Sequence, residues 1–196
     1  MKPGPEKQFD PEVALDAAIE VFRERGFEGA SLSQLIAAMG IGKKSLYDTF
    51  GNKRSLFLRS IRHYGDGALQ MMQEKLDSGK TPLDGFVRLF KAFENAAAET
   101  CSKGCMIASN LGDFDENDED VAEILGTLLK QQERLFRNQL EKAAEHGELN
   151  SQVRPLAAAR LLISLAQGTS IIGRVNAGPE PARSSYGEIL RYLKAA

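Results

Sequence analysis

The sequence predicts an all-α fold, and three observations carry that expectation. The chain of 196 residues contains 23 Ala and 23 Leu but only 6 Val and 5 Thr. Unbranched side chains lose little freedom in a helix, whereas β-branched ones are stiff at χ1 and suit strands. Apolar residues recur three and four positions apart in nearly every segment, the spacing of one helix face. Glycine, proline and short polar capping residues fall at the ends of most of these segments.

Asp10 followed by Pro11 makes a helix start, a side-chain acceptor ahead of a residue with no N–H to satisfy. Leu15, Ala18, Ile19 and Phe22 share one face of this first helix, and Gly26 ends it. Ser31 caps a second, short helix whose Leu32, Leu35, Ile36 and Met39 form an apolar stripe. Gly40-Ile41-Gly42 is a tight turn, with Gly40 supplying the backbone angles and Ile41 pointing into the core. A third helix runs from Lys43 to about Thr49, and Asn52 caps a fourth carrying Leu56, Phe57, Ile61 and Tyr64. That helix continues through Leu69, Met72 and Leu76 until Gly79 and Pro82 stop it. Phe86, Leu89, Phe90, Phe93 and Ala97 mark a fifth helix, Cys101–Gly104 a break, and Met106-Ile107 a short apolar piece. An acidic stretch, Asp113–Asp120, reads as a solvated loop whose acids favour the start of the long helix that follows. That helix closes at His146-Gly147. Pro155 opens another, to about Val175, ended by Gly178-Pro179. Tyr186, Ile189, Leu190 and Leu193 lie on a final one, for about nine helices in all.

The layout divides into residues 1–52, a small three-helix unit, and residues 53–196, a larger helical one. Two short helices joined by a glycine turn and braced by a longer helix describe a helix-turn-helix. By spacing alone, any small helical bundle with short connections fits equally well.

Composition bounds the function. With 42% apolar and 27% charged residues, the chain can bury a core without disulfide staples. Its 25 Lys+Arg against 27 Asp+Glu give a net charge of −2, which excludes a uniformly basic nucleic-acid binder. Position changes that conclusion. Residues 41–62 hold Lys43, Lys44, Lys53, Arg54, Arg59 and Arg62 against one acid, Asp48, whereas residues 104–129 hold no Lys or Arg. The apolar stretches are expected to fall short of the ~20 apolar residues that cross a bilayer. MKPGPEKQFD lacks the apolar core of a signal peptide. A cytoplasmic protein with no membrane partner is therefore expected, and two cysteines suit a reducing compartment.

The stretch Ala14 to Ile61 resembles the TetR family of bacterial transcriptional repressors. The residues that carry the resemblance are F-R-E-R-G-F (Phe22–Phe27), S-L-S-Q-L-I-A-A-M-G-I (Ser31–Ile41) and K-K-S-L-Y-D-T-F (Lys43–Phe50), then Lys53 and Leu56-Phe57. The remaining helices are similar in layout to that family's ligand-binding and dimerisation domain, with a loose match at G-C-M-I-A-S-N (Gly104–Asn110). Three departures stand out. Ala30 precedes Ser31 where a hydroxyl residue is usual, Gly42 stands where a Ser often caps the recognition helix, and Asp48-Thr49 follow the Tyr.

The resemblance implies a ligand-responsive regulator, most simply a repressor that binds a palindromic double-stranded DNA operator as a homodimer and is released by a small apolar effector. In a helix-turn-helix the second helix enters the major groove by its N-terminal residues. Lys43 and Lys44 are thus candidates for guanine or phosphate contact and Ser45 for a short-range contact. Asp48 follows them on the helix that reads the bases. Tyr47 is implied by the resemblance to reach a phosphate; otherwise it is a packed aromatic with a wet tip. Ser31, Ser33 and Gln34 would hold the flanking backbone, and Lys53 with the N–H groups of its helix would bind another phosphate. Leu46 and Phe50 read as core.

Specificity calls for a dimer, and the helix from Leu156 has hardly any polar face. Leu161, Leu162, Leu165, Gly168 and Ile172, with Tyr186 and Leu190 of the last helix, are the candidate interface; burial within one chain is the alternative. Met71, Met72, Phe86, Phe90, Phe93 and Met106 are candidates to line an effector pocket, although an aromatic stripe at helical spacing is more often plain core. Cys101 and Cys105, in C-x-x-x-C spacing on a helix beside Lys103, could make a redox- or electrophile-sensing repressor; structural packing is the simpler role. No cofactor or metal is expected, with His63 and His146 far apart in sequence. No nucleotide loop or hydrolase motif appears, so an enzyme is not expected. A helical adaptor that does not bind DNA is the remaining alternative.

Overall fold

A computed structural model describes residues 9–99, 105–113, 118–175 and 179–195. The helices are α1 (Pro11–Gly29), α2 (Leu32–Met39), α3 (Lys43–Phe50), α4 (Lys53–Asp77), α5 (Pro82–Glu99), α6 (Met106–Asp113), α7 (Glu119–Glu145), α8 (Pro155–Val175) and α9 (Glu180–Leu193). The fold is all-α, as the sequence predicts; among the described residues the only strand-like pairing is an isolated bridge between Leu149 and Lys194. Two compact units divide the chain, Met1–Tyr64 and Gly65–Ala196.

In the first unit the sequence signals act where they stand. Asp10 accepts from the Glu12 N–H at 2.8 Å ahead of Pro11. Gly26 breaks α1 at φ 68°, and one further turn carries the helix to Gly29. Ser31 and Gln34 form a reciprocal capping box, Gln34 N–H to Ser31 Oγ at 3.2 Å and Ser31 N–H to Gln34 Oε1 at 2.9 Å. That satisfies two backbone donors that a helix start otherwise leaves open. Gly40 adopts the left-handed conformation, φ 64°, which a side chain would resist, and the turn then carries Ile41 into the core. Leu15, Ala18, Ile19, Phe22, Leu35, Met39, Leu46, Phe50, Leu56, Phe57 and Ile61 are buried. Phe22, Phe27 and Phe57 close that core as an aromatic cluster, Phe57 standing edge-on to Phe22 at 5.0 Å.

In the second unit α5 packs on α7 and α9, and α8 packs on α6, α7 and α9. Phe86, Phe90, Phe136, Leu140, Leu162 and Tyr186 are among its buried core. Phe86 meets Phe136 edge-on at 5.6 Å, and Phe90 stacks nearly parallel on Tyr186 at 4.5 Å. The turn from α4 to α5 is unusually close: a Cβ on Gly79 would lie 2.2 Å from the Gly85 nitrogen, so only glycine fits. Gln139 seals that turn by donating to the carbonyls of Pro82 at 3.0 Å and Leu76 at 3.4 Å.

Three expectations change. The acidic run is not one loop: Asp113 ends α6, Asp118 caps α7 by accepting from Val121 N–H at 3.2 Å, and Glu119 and Asp120 form its first turn. Acids near a helix N-terminus are favoured there, so they extend the helix backwards; residues 114–117 lie outside the described residues. Cys101, with the Cys101–Gly104 break, also lies outside them. Cys105 is not inside a helix: it precedes α6 and its carbonyl accepts from Ser109 N–H at 3.0 Å, a position set by the helix start. Finally, Pro155–Gly173 does reach the length and apolar composition of a bilayer-crossing helix, because Arg160 is its sole charge and the scattered Ser, Thr and Gln weigh little. Only 22% of that stretch is buried within the chain.

Candidate nucleic-acid interface

The sides of α3 differ sharply. Leu46 and Phe50 are fully buried, which turns Lys43, Lys44, Tyr47 and Asp48 outward. Tyr47 is 46% exposed, a large aromatic left in water. Ser45 and Thr49 are half-buried at the edges of this face. Gly42 at the N-cap provides no side-chain acceptor, so the first N–H groups of α3 stay available beside two lysines. Lys44 donates to Asp48 at 2.8 Å one turn along, and that hydrogen bond, then the carboxylate charge, raises its pKa.

The other predicted contact residues are partly engaged. Ser31 and Gln34 are held in the capping box, and the Ser31 and Ser33 hydroxyls lie 3.0 Å apart. Lys53 Nζ sits 4.5 Å over the Phe27 ring, a cation–π contact that engages its ammonium at the start of α4. Asn52 accepts from Ser55 N–H at 2.8 Å, so one of the N–H groups expected to serve an anion there is already bonded. Arg59 has a structural task that the sequence did not signal. It donates to the Thr49 carbonyl at 2.7 Å and lies 5.0 Å over Phe50, bracing the end of α3 from α4.

In the second unit, Met72, Phe86, Phe90 and Met106 are buried, and Met71 and Phe93 pack half-buried against the same core. A cleft of about 490 Å³ lies elsewhere, lined by residues including Thr81, Val87, Glu148, Leu190 and Lys194, and none of the six expected pocket residues borders it. On α8, Leu161 and Ile172 are exposed at 48% and 45%, and Leu165 and Gly168 lie half-buried between them. These four share one face; Leu156 and Ile171 are exposed as well, at 37% and 47%, but helical spacing turns them away from it. Leu162 and Tyr186 do not belong to it. Leu162 is 0% exposed, because one residue along a helix turns the side chain to the core side. Tyr186 is 2% exposed and its hydroxyl lies 2.8 Å from Thr169 Oγ1, so stacking and hydrogen bonding hold it inside its own chain. Leu190 is half-buried.

Residues 14–59 match the family described as bacterial regulatory proteins, tetR family, and residues 82–186 match the tetracyclin repressor-like C-terminal domain. The chain is 34% identical to an uncharacterized HTH-type transcriptional regulator of Bacillus subtilis, YezE, across 89% of this chain and 91% of that one. It is 28% identical to the HTH-type transcriptional repressor ComR of Escherichia coli, across 96% of this chain and 90% of that one. Among solved structures, it superposes with a TM-score of 0.80 on a cysteine mutant of the TetR family regulator CifR complexed with 26-bp operator DNA. That likeness has 27% identity and covers 95% of this chain and 98% of that one. A regulatory protein TetR from Rhodobacter sphaeroides shares the fold with a TM-score of 0.86 at 21% identity, covering 93% and 97% of the two chains.

Proposed function

The chain belongs to the TetR family of bacterial transcriptional regulators, and from that premise we propose that it is a repressor whose dimer binds operator DNA and lets go when a small molecule enters its second unit. The observation that carries this is the α3 face: Lys43, Lys44 and Tyr47 stand exposed beside a helix N-terminus without a side-chain cap. Such a face supplies charge, donors and a flat aromatic to phosphates and base edges. Lys53, Ser33 and the capping pair Ser31–Gln34 flank it as backbone contacts, with Asp48 tuning Lys44.

The exposed stripe Leu161, Leu165, Gly168 and Ile172 supports pairing through α8. A single α3 reads only a few base pairs, so two of them, one helical turn (~34–36 Å) or a multiple apart, would read a near-palindrome. Sequestering the stripe in a dimer also accounts for a helix so apolar in a chain that buries so little of it. An effector acts by preferring a conformation that fits the operator poorly; without that preference it shifts nothing. Continuous α4 belongs in part to each unit, which makes it the route for that shift.

Gel-shift or fluorescence anisotropy against the DNA upstream of its own gene tests the proposal. The wild-type dimer binds at low salt, and Lys43→Ala with Tyr47→Ala weakens binding without changing the melting temperature. A folded dimer that ignores this DNA at low salt overturns the reading.

A further inference from the structure

Three residues in the described core of the second unit bury polar side chains outright: Gln132, Gln139 and Thr169, with Tyr186 beside the last. Two of the three are fully employed. Gln139 spends its amide on the carbonyls of Pro82 and Leu76. Thr169 donates to the Leu165 carbonyl at 2.8 Å and pairs with the Tyr186 hydroxyl at 2.8 Å. Gln132 is the exception. It is only 4% exposed, its Oε1 accepts a long bond from Gln167 Nε2 at 3.5 Å, and its own Nε2 has no partner.

An amide donor removed from water with nothing to bond costs a large share of a small protein's net stability. Buried donors left in this state call for an explanation, and a ligand or ordered water is the usual one. Gln132 also sits on the apolar stripe of α7, one turn from Leu128 on one side and from Phe136 on the other, both buried. We infer that Gln132 is the polar anchor of the effector site, and that the effector is a neutral carbonyl compound with an apolar body whose oxygen accepts from Gln132 Nε2. This rests on the reading of the chain as a ligand-responsive regulator and specifies its ligand.

The chemistry narrows the class. The open group is a donor, so it needs an acceptor. Every Lys and Arg of residues 65–196 whose side chain is described is exposed, so among them an anion at Gln132 finds no buried cation to offset its desolvation. A hydroxyl could accept, but it brings a donor hydrogen that would have to share Gln132 Oε1 with the Gln167 amide. A ketone, ester or amide oxygen brings none. The position also suits signalling. Leu128, one turn before Gln132, lies so close to α4 that a Cβ on Gly65 would come within 2.3 Å of its Cδ1. A ligand that displaces α7 at Gln132 presses on α4 within one helical turn, ~5.4 Å of rise.

The probes are acetophenone against ethylbenzene, and 2-octanone against octane, each pair differing by the carbonyl. Calorimetry reads their binding, and release of a fluorescent upstream duplex reads their effect. Wild type is expected to bind at least one ketone about tenfold more tightly than its hydrocarbon, the worth of one ordinary hydrogen bond. In Gln132→Met, which keeps the volume and removes the amide, that ratio falls to about one, while the free protein melts no lower than wild type. Equal binding within both pairs, no binding of any probe, or a preference that persists in the variant overturns the inference. A lower melting temperature with the preference intact would assign the amide to a structural water only. The wild-type comparison stands even if the variant misfolds. Operator binding by the ligand-free protein separates the two levels: if it holds while the preference is absent, only this inference falls.

Discussion

Replacing Asp48 by Asn tests whether Lys44 belongs to the DNA-facing side of α3. In the free protein the Lys44 ammonium is 2.8 Å from Asp48 Oδ2, and the two side chains are 90% and 61% exposed. A pair this wet contributes little to stability, so the melting temperature should scarcely move. Lys44 is cationic at neutral pH with or without its partner, since Asp48 only raises a pKa that already lies above 10. What the substitution removes is a carboxylate that competes with phosphate for the ammonium. Each protomer then neutralises one more phosphate, steepening log K against log salt by ~0.9 per protomer, or ~1.8 per dimer. Between about 50 and 200 mM salt the variant should lose about twelvefold more affinity than wild type loses. Fluorescence anisotropy with an upstream duplex and a scrambled one measures both slopes, and the increment should appear in both because it carries no sequence information. Parallel slopes for variant and wild type, with the dimer intact, would show that Lys44 stays off the phosphates and refute the assignment.

Gly65→Ala inserts a methyl 2.3 Å from Leu128 Cδ1 and 2.5 Å from Cδ2, so chemical denaturation should show a loss of ~1–3 kcal/mol. Combined with Leu128→Ala the two losses should be less than additive, because the shortened side chain makes room. Burial raises the Tyr186 pKa to about 12 despite the Thr169 hydrogen bond. The unfolded phenol ionises near 10 while the folded one stays neutral, so stability is complete below pH 10 and falls as pH rises toward 12. The loss should reach ~2–3 kcal/mol, and Tyr186→Phe should flatten that part of the pH–stability curve. Ser31→Ala removes one half of the capping box and should cost ~0.5–2 kcal/mol, read as a lower denaturation midpoint. It should also weaken DNA binding, by letting α2 fray beside the α3 face.

How much was legible in the chain depended on how local the cause was. Asp10-Pro11, the Ser31 cap, Gly40 and Gly147 act within four residues of themselves, and the structure places each one where its chemistry predicts; that Gln34 answers Ser31 in a capping box was not read from the sequence. The α8 stripe was legible as apolar but not as one-sided. Leu161 and Leu162 are equivalent in composition, and only packing against α7 and α9 decides that Leu162 faces inward. The same holds for Tyr186, whose apolar neighbours suggested an interface, whereas its ring stacks on Phe90 from a helix almost a hundred residues earlier. Arg59 looked like one more phosphate ligand in a basic stretch, yet its partner is the Thr49 carbonyl. Gln132 gave one signal, a polar residue on the inward spacing of Leu128 and Phe136. That signal became specific only when Gln139, seven residues on, proved to be satisfied and Gln132 did not.

The charge distribution bears on how such a protein lets go of DNA. A dimer doubles the net charge of −2, so at long range it is weakly repelled by a polyanion. Attraction exists only where Lys43, Lys44, Lys53 and their neighbours come within about a Debye length, ~8 Å, of phosphates. The acid-rich stretch 104–129 offers no compensating cation once that contact is broken. The attraction therefore decays over that length, so in the proposed dimer the spacing of the two α3 helices would weigh on binding. On the function proposed above, concentrating the positive charge on one short helix and the start of the next would let a motion of α4 act directly on that contact.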